Sequence, residues 1–247
     1  MRTLMKTTWV ELKLFAREPL TVLFTFAIPF VVLFVLGGVF GNRPADPHVY
    51  RGFGILNYYV PAYIALVVAA IGLIALPVHL AAYRERGVLR RFRASTIPVW
   101  SVLGGQVAAT FLIGVLASLI LVVLALAVYH TRSPQSLVGV LAAFFLGAIM
   151  FATLGLFLGL ALPTARAAQG AGVLLWFVMM QISGPGAPPE VLPTALLRVA
   201  DATPLKHLVV LMQDPWFGLG WNGPEMLIVL GFCVVAALLT IVFARRS

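Results

Sequence analysis

Six stretches of this chain contain no Lys, Arg, Asp or Glu, and they decide what it can fold into: residues 20–42, 52–83, 94–131, 133–165, 167–189 and 226–244. A bilayer core needs about 20 apolar residues of helix, because only helices and closed barrels satisfy their backbone without water. Each stretch is long enough for one crossing and too short for two helices with a turn. The expectation is an all-α integral membrane protein with six transmembrane helices, near 20–41, 57–82, 103–129, 136–162, 167–183 and 225–244. Composition agrees: 62% of residues are hydrophobic and 10% are charged, where a soluble domain has about a quarter charged. Pro29, Pro77 and Pro163 are positioned to bend or end spans.

The charges between the stretches set an orientation. With both termini cytoplasmic, that side carries 12 cations against Glu11, Glu18 and Glu85, while the other carries five charges of each sign. Lys and Arg concentrate in cytoplasmic loops. The net charge of +9 therefore lies on the inner side of a cell inner or plasma membrane, and its placement speaks for lipid headgroups rather than nucleic acid. Residues 1–18 form an amphipathic segment, in which Met1, Leu4, Met5, Leu12 and Phe15 recur at helical spacing. Arg2, Lys6, Lys13 and Arg17 fall mostly on another side, and Trp9 is an interface-anchor candidate. The segment reads as a helix lying on the inner leaflet. It is not a cleavable leader, since its basic region is too long and no A-x-A-like site follows. The outer loops are short except residues 184–223, which are rich in proline and glycine and hold a half-length apolar segment, Leu205 to Met212. That loop is expected to dip partly into the outer leaflet, packed against protein. The single cysteine, Cys233, excludes a disulfide within the chain.

Motif searches mostly exclude. Gly218-Leu-Gly220-Trp-Asn-Gly223 follows no strand, and no G-x-x-x-x-G-K-[ST] exists, so the chain has no recognisable ATP site. Ser183-Gly184 lacks the glycine two positions earlier, and the last span lacks the histidine base, that an intramembrane serine protease needs. The four histidines make no metal-ligand spacing. Gly155-x-x-x-Gly159, extended backward by Gly147 and Ala148, gives its span a smooth face suited to internal packing. Apart from Glu225 at the first position of the last span, no Asp or Glu lies within a span, whereas ion-coupled transporters usually keep intramembrane carboxylates. Energy for transport must come from outside the chain.

The stretch Tyr83 to Trp100, YRERGVLRRFRASTIPVW, places five arginines in ten positions between two apolar runs. Read as a helix, Val88, Leu89 and Phe92 share one side, while Arg86, Arg90 and Arg93 share another. Such a helix suits a membrane surface or a partner's groove, and an ordinary positive-inside loop is the plain alternative. Extended to Gln106, the stretch resembles the loop between spans two and three of type-two ATP-binding-cassette exporter permeases of the daunorubicin-resistance, multidrug-like kind. Glu85, Gly87, Leu89, Arg91, Phe92, Pro98, Gly104 and Gln106 fit that pattern, with Ser95-Thr96 where Thr-Pro is usual. Arg17 to Gly41 is similar to the family's entry into span one, and Pro188 to Val209 to its segment after span five.

The resemblance implies a division of labour. Residues 1–18 become a connecting helix, and 84–100 a cytoplasmic coupling helix region seated on a separate ATPase subunit. Its contact residues would be Glu85, Arg86, Gly87, Val88, Leu89, Arg90, Arg91, Phe92 and Arg93. Two ATPase copies carry the ATP and Mg, no cofactor belongs to this chain, and a second permease, identical or homologous, completes the pathway. Tyr58, Tyr59 and Tyr63 of span two, with Trp176, Phe177, Met179, Met180 and Gln181 of span five, are the candidate path lining. Aromatic and methionine surfaces of this kind suit an amphipathic drug, antibiotic or lipid. The rival readings are an ATP-independent secondary transporter or channel and a membrane-embedded enzyme.

Overall fold

The computed structural model describes residues 2–17, 19–40, 49–87 and 99–246. Helix α1 (Arg2–Phe15) leads into a first rod made of α2 (Pro19–Val22), a π-helical turn (Leu23–Ala27) and α3 (Ile28–Phe40). A second rod joins α4 (Ile55–Ala70), another π-helical turn (Ile71–Ala75) and α5 (Leu76–Glu85). Four long helices follow, α6 (Val99–Tyr129), α7 (Leu137–Ala161), α8 (Ala165–Ile182) and finally α11 (Gly223–Arg246), with the shorter α9 (Thr194–Asp201) and α10 (Pro204–Phe217) between the last two. Among the described residues no element is a β-strand.

Each of the six expected spans coincides with a helix or a rod. Four are long and apolar enough to cross a bilayer: Ile55–Glu85, Gly104–Tyr129, Leu137–Ala161 and Gly223–Ala244. Leu23–Val39 is a shorter apolar helix, and α8 opens with the small and polar run ARAAQGAG. Local chemistry sets the ends. The Ser136 hydroxyl accepts from Gly139 N at the start of α7, and the Thr164 hydroxyl accepts from Ala167 N at the start of α8, the usual N-cap arrangement. Both π-turns sit just before a proline, Pro29 or Pro77. Proline donates no hydrogen bond and its ring crowds the carbonyl four residues back, which is Thr25 or Leu73 here. A wider turn relieves that crowding.

The second rod is the axis of the molecule, with every residue from 56 to 81 buried. A helix that is apolar all round belongs in a core. Glycines let neighbours reach its backbone: a Cβ on Gly155 of α7 would meet the Gly72 carbonyl, and one on Gly172 of α8 would meet that of Leu73. Gly159 lies against Leu80, and Gly147 against Leu208 of α10. The smooth face of α7 is therefore used inside the chain.

Two local expectations change. Helix α1 packs along α6 rather than only resting on a surface, and Phe15 at its end is buried with Val67, Ile71, Ala75, Ile113 and Ala117. Trp9 stays exposed, with Lys13 Nζ 5.3 Å from its ring centroid. In the 184–223 loop, α10 is longer than the expected Leu205–Met212 and packs among α4, α7, α8 and α11. Ser136 N donates to Pro215 O at 3.0 Å and Gln135 N to Trp216 O at 3.1 Å, which ties α10 to the start of α7.

Candidate functional site

The end of α5 is held by two charged side chains acting on one helix–helix corner. Arg84 Nη1 donates to the carbonyls of Gly159 (3.0 Å), Leu160 (2.6 Å) and Leu162 (3.2 Å), the C-terminal end of α7. Glu85 Oε2 accepts from Ala165 N at 3.1 Å, at the start of α8. A cation at a helix C-terminus and an anion at an N-terminus each complement the helix dipole. Adjacent residues thus clasp the Leu162–Thr164 corner from both sides. Glu85, one of the coupling-contact candidates, bonds to the backbone of α8. Arg84 counts among the basic residues of the Tyr83 to Trp100 stretch but not among its contact residues, although Pro163 and Thr164 mark a helix stop and a helix start that needed such partners.

Two residues beyond Glu85 the chain turns. Gly87 has φ of +66°, and its N–H donates to Arg84 O at 3.1 Å, a left-handed helix ending that glycine accepts without strain. Arg86 is exposed. Val88, Leu89, Arg90, Arg91, Phe92 and Arg93 lie outside the described residues.

The candidate path lining divides in two. Tyr58, Tyr59, Tyr63 and Trp176 are 1%, 3%, 0% and 0% exposed, so within this chain they are core and line no open surface. Tyr58, Tyr59 and Tyr63 form a ladder with ring centroids 5.3 and 5.5 Å apart. The Tyr59 hydroxyl donates to Gly186 O at 3.4 Å, and Trp176 Nε1 donates to Leu66 O at 3.1 Å. Phe177 and Gln181 are exposed on α8, with Met179 and Met180 partly buried. Beside the second π-turn lies an apolar cavity of about 430 Å³ between the second rod, α6 and α7, reached by Ile71, Gly114 and Phe144.

The opposite end of the bundle is polar and paired. Arg51 meets Asp214 at 2.5 Å and Gln213 Oε1 at 3.3 Å, and Asn222 Nδ2 donates to the other Asp214 oxygen at 2.7 Å. Lys206 pairs with Asp201, and His207 bridges Glu225 Oε2 (2.6 Å) and Asp201 O (2.8 Å). Among the described residues no group of three His, Cys, Asp or Glu side chains is placed to hold a metal ion.

Long apolar helices around a buried axial rod, with charge clasping one helix corner, define a multi-pass membrane protein. The chain belongs to the ABC-2 type transporter family, whose model matches residues 3–217. That family is the membrane permease component of ABC-type transporters, has no ATP site of its own and pairs with an ATPase subunit. No curated protein matches the chain.

Proposed function

We propose that the chain forms half of the membrane pathway of an ATP-driven exporter of the daunorubicin-resistance, multidrug-like kind, coupled to its ATPase through the segment after Glu85. Family membership supports the permease role. The coupling rests on one observation, the clasp of Arg84 and Glu85 on the α7–α8 corner. A push on the chain beyond Gly87 reaches α5 and, through the clasp, moves α7 and α8 with it. In this reading two ATPase subunits bind ATP and Mg and serve two permeases, identical or homologous. Each permease crosses six times with both termini cytoplasmic. Val88, Leu89 and Phe92 bury against the ATPase, while the arginines meet its carboxylates or lipid phosphates. With span two buried, the pathway side of this chain is α8, where Phe177 and Gln181 are exposed, a surface suited to amphipathic drugs, antibiotics or lipids.

The test is assembly with the ATPase subunit encoded nearest to this chain, followed by ATP hydrolysis in proteoliposomes. The wild-type permease should copurify with it and raise its hydrolysis above that of the ATPase alone. Arg84→Gln and Glu85→Gln should keep membrane insertion but lose that increase, and Leu89→Asp or Phe92→Asp should lose copurification, since a buried unpaired charge costs several kcal/mol. Failure of the wild type to copurify, or full stimulation in all four variants, overturns the reading.

A further inference from the structure

The end of the bundle away from Glu85 holds a polar pocket of about 320 Å³. Three segments build it: Phe53 and Asn57 at the start of the second rod, Arg132 and Gln135 between α6 and α7, and Trp216 and Phe217 at the end of α10. Each of its polar side chains, Asn57, Arg132 and Gln135, can donate a hydrogen bond. Asn57 commits its Oδ1 to the backbone N–H of Arg132 at 2.8 Å, which leaves its amide N–H₂ to donate. Trp216 is 2% exposed, and its Nε1 is buried with no hydrogen-bond partner; an indole N–H can only donate. Such buried orphans are rare, and each calls for an explanation. Arg132 is exposed, and among the described residues no carboxylate lies within ion-pair distance of it. Asp214, the carboxylate at this end of α10, is already committed to Arg51 and Asn222.

We propose that this pocket binds a phosphate-class anion. A guanidinium presents paired N–H groups that match two oxygens of a tetrahedral oxyanion. The side-chain amides of Asn57 and Gln135 then serve the remaining oxygens, a donor set that a two-oxygen carboxylate leaves partly unused. Phe53 and Phe217, stacked with centroids 3.9 Å apart, form an apolar wall beside the donors. A phospholipid headgroup and free inorganic phosphate share this chemistry, and the bundle end where the pocket lies gives access to both.

The experiment uses the full chain, purified and delipidated in detergent, with thermal unfolding followed during titration by inorganic phosphate and by dihexanoyl phosphatidic acid. A saturable rise in Tm is expected with at least one of them. Arg132→Gln, at an exposed position, should weaken the apparent affinity about tenfold, the usual order for losing a charge-assisted hydrogen bond. Arg198→Gln, another exposed arginine at the same end, should leave it unchanged. Saturation by phosphatidic acid alone assigns a lipid headgroup, and saturation by phosphate as well assigns the free anion. No saturable response to either probe, or equal losses in Arg132→Gln and Arg198→Gln, overturns the proposal.

Discussion

At Gly155 and Gly172 the packing depends on a single missing methyl group. In an ordinary helix interior Gly→Ala stabilises by up to about 1 kcal/mol. A Cβ on Gly155 or Gly172 instead lands on a backbone carbonyl oxygen of the axial rod, which cannot swing aside as a side chain can. Overpacking of this kind costs about 1–3 kcal/mol. Gly155→Ala and Gly172→Ala are therefore expected to lower the Tm of the detergent-purified protein, while Gly170→Ala, with nothing within 4 Å, holds or raises it. Identical melting of all three variants would show that these approaches do not constrain the bundle. The spacing of Gly147, Gly155 and Gly159 was legible in the sequence as a smooth face, but its partners Leu208, Gly72 and Leu80 were not. The burial of the tyrosines was hidden for a related reason. Span two is apolar on every side, so no periodicity told Tyr58, Tyr59 and Tyr63 which way they faced.

Among the elements, helix positions were legible and helix irregularities were not. Among the described residues the charge-free runs coincide with long helical segments, and Pro29 and Pro77 marked where two would deviate, but whether proline yields a kink or a π-turn depends on what packs alongside. The end of α5 shows the same limit. Gly87, placed by the resemblance in the coupling region, has φ of +66° and ends α5. A side chain with a Cβ strains this conformation by about 1–2 kcal/mol, and asparagine is the exception that tolerates it. Gly87→Ala should therefore reduce the fraction of ATPase that copurifies, and Gly87→Asn should restore most of it. Equal copurification for glycine, alanine and asparagine would mean that the turn does not aim the coupling segment.

Across the whole molecule the two ends hold their cations differently. At one end Arg51 and Lys206 each have a carboxylate partner, and His207 has Glu225. At the other, Arg84 is spent on carbonyls while Arg86 and Arg166 are exposed. Two of the cations read for one side of the sequence, Arg51 and Lys206, thus have carboxylate partners, while Arg132 and Arg198 on that side stay exposed. Helix α8 decides how many crossings this implies. It starts beside Glu85 at Ala165 and ends beside the opposite cluster, where the Ser183 and Thr203 hydroxyls bond at 2.8 Å. A chain in which only the four longest apolar segments cross would leave Arg86 and Asp201 on the same side; six crossings separate them. With Cys233→Ser as background, Asp201→Cys should react with an impermeant maleimide in intact cells, and Arg86→Cys only after permeabilisation. Labelling of both from outside, or of neither, would leave α8 on one side of the membrane, and reversed accessibility would invert the orientation that the positive-inside distribution requires.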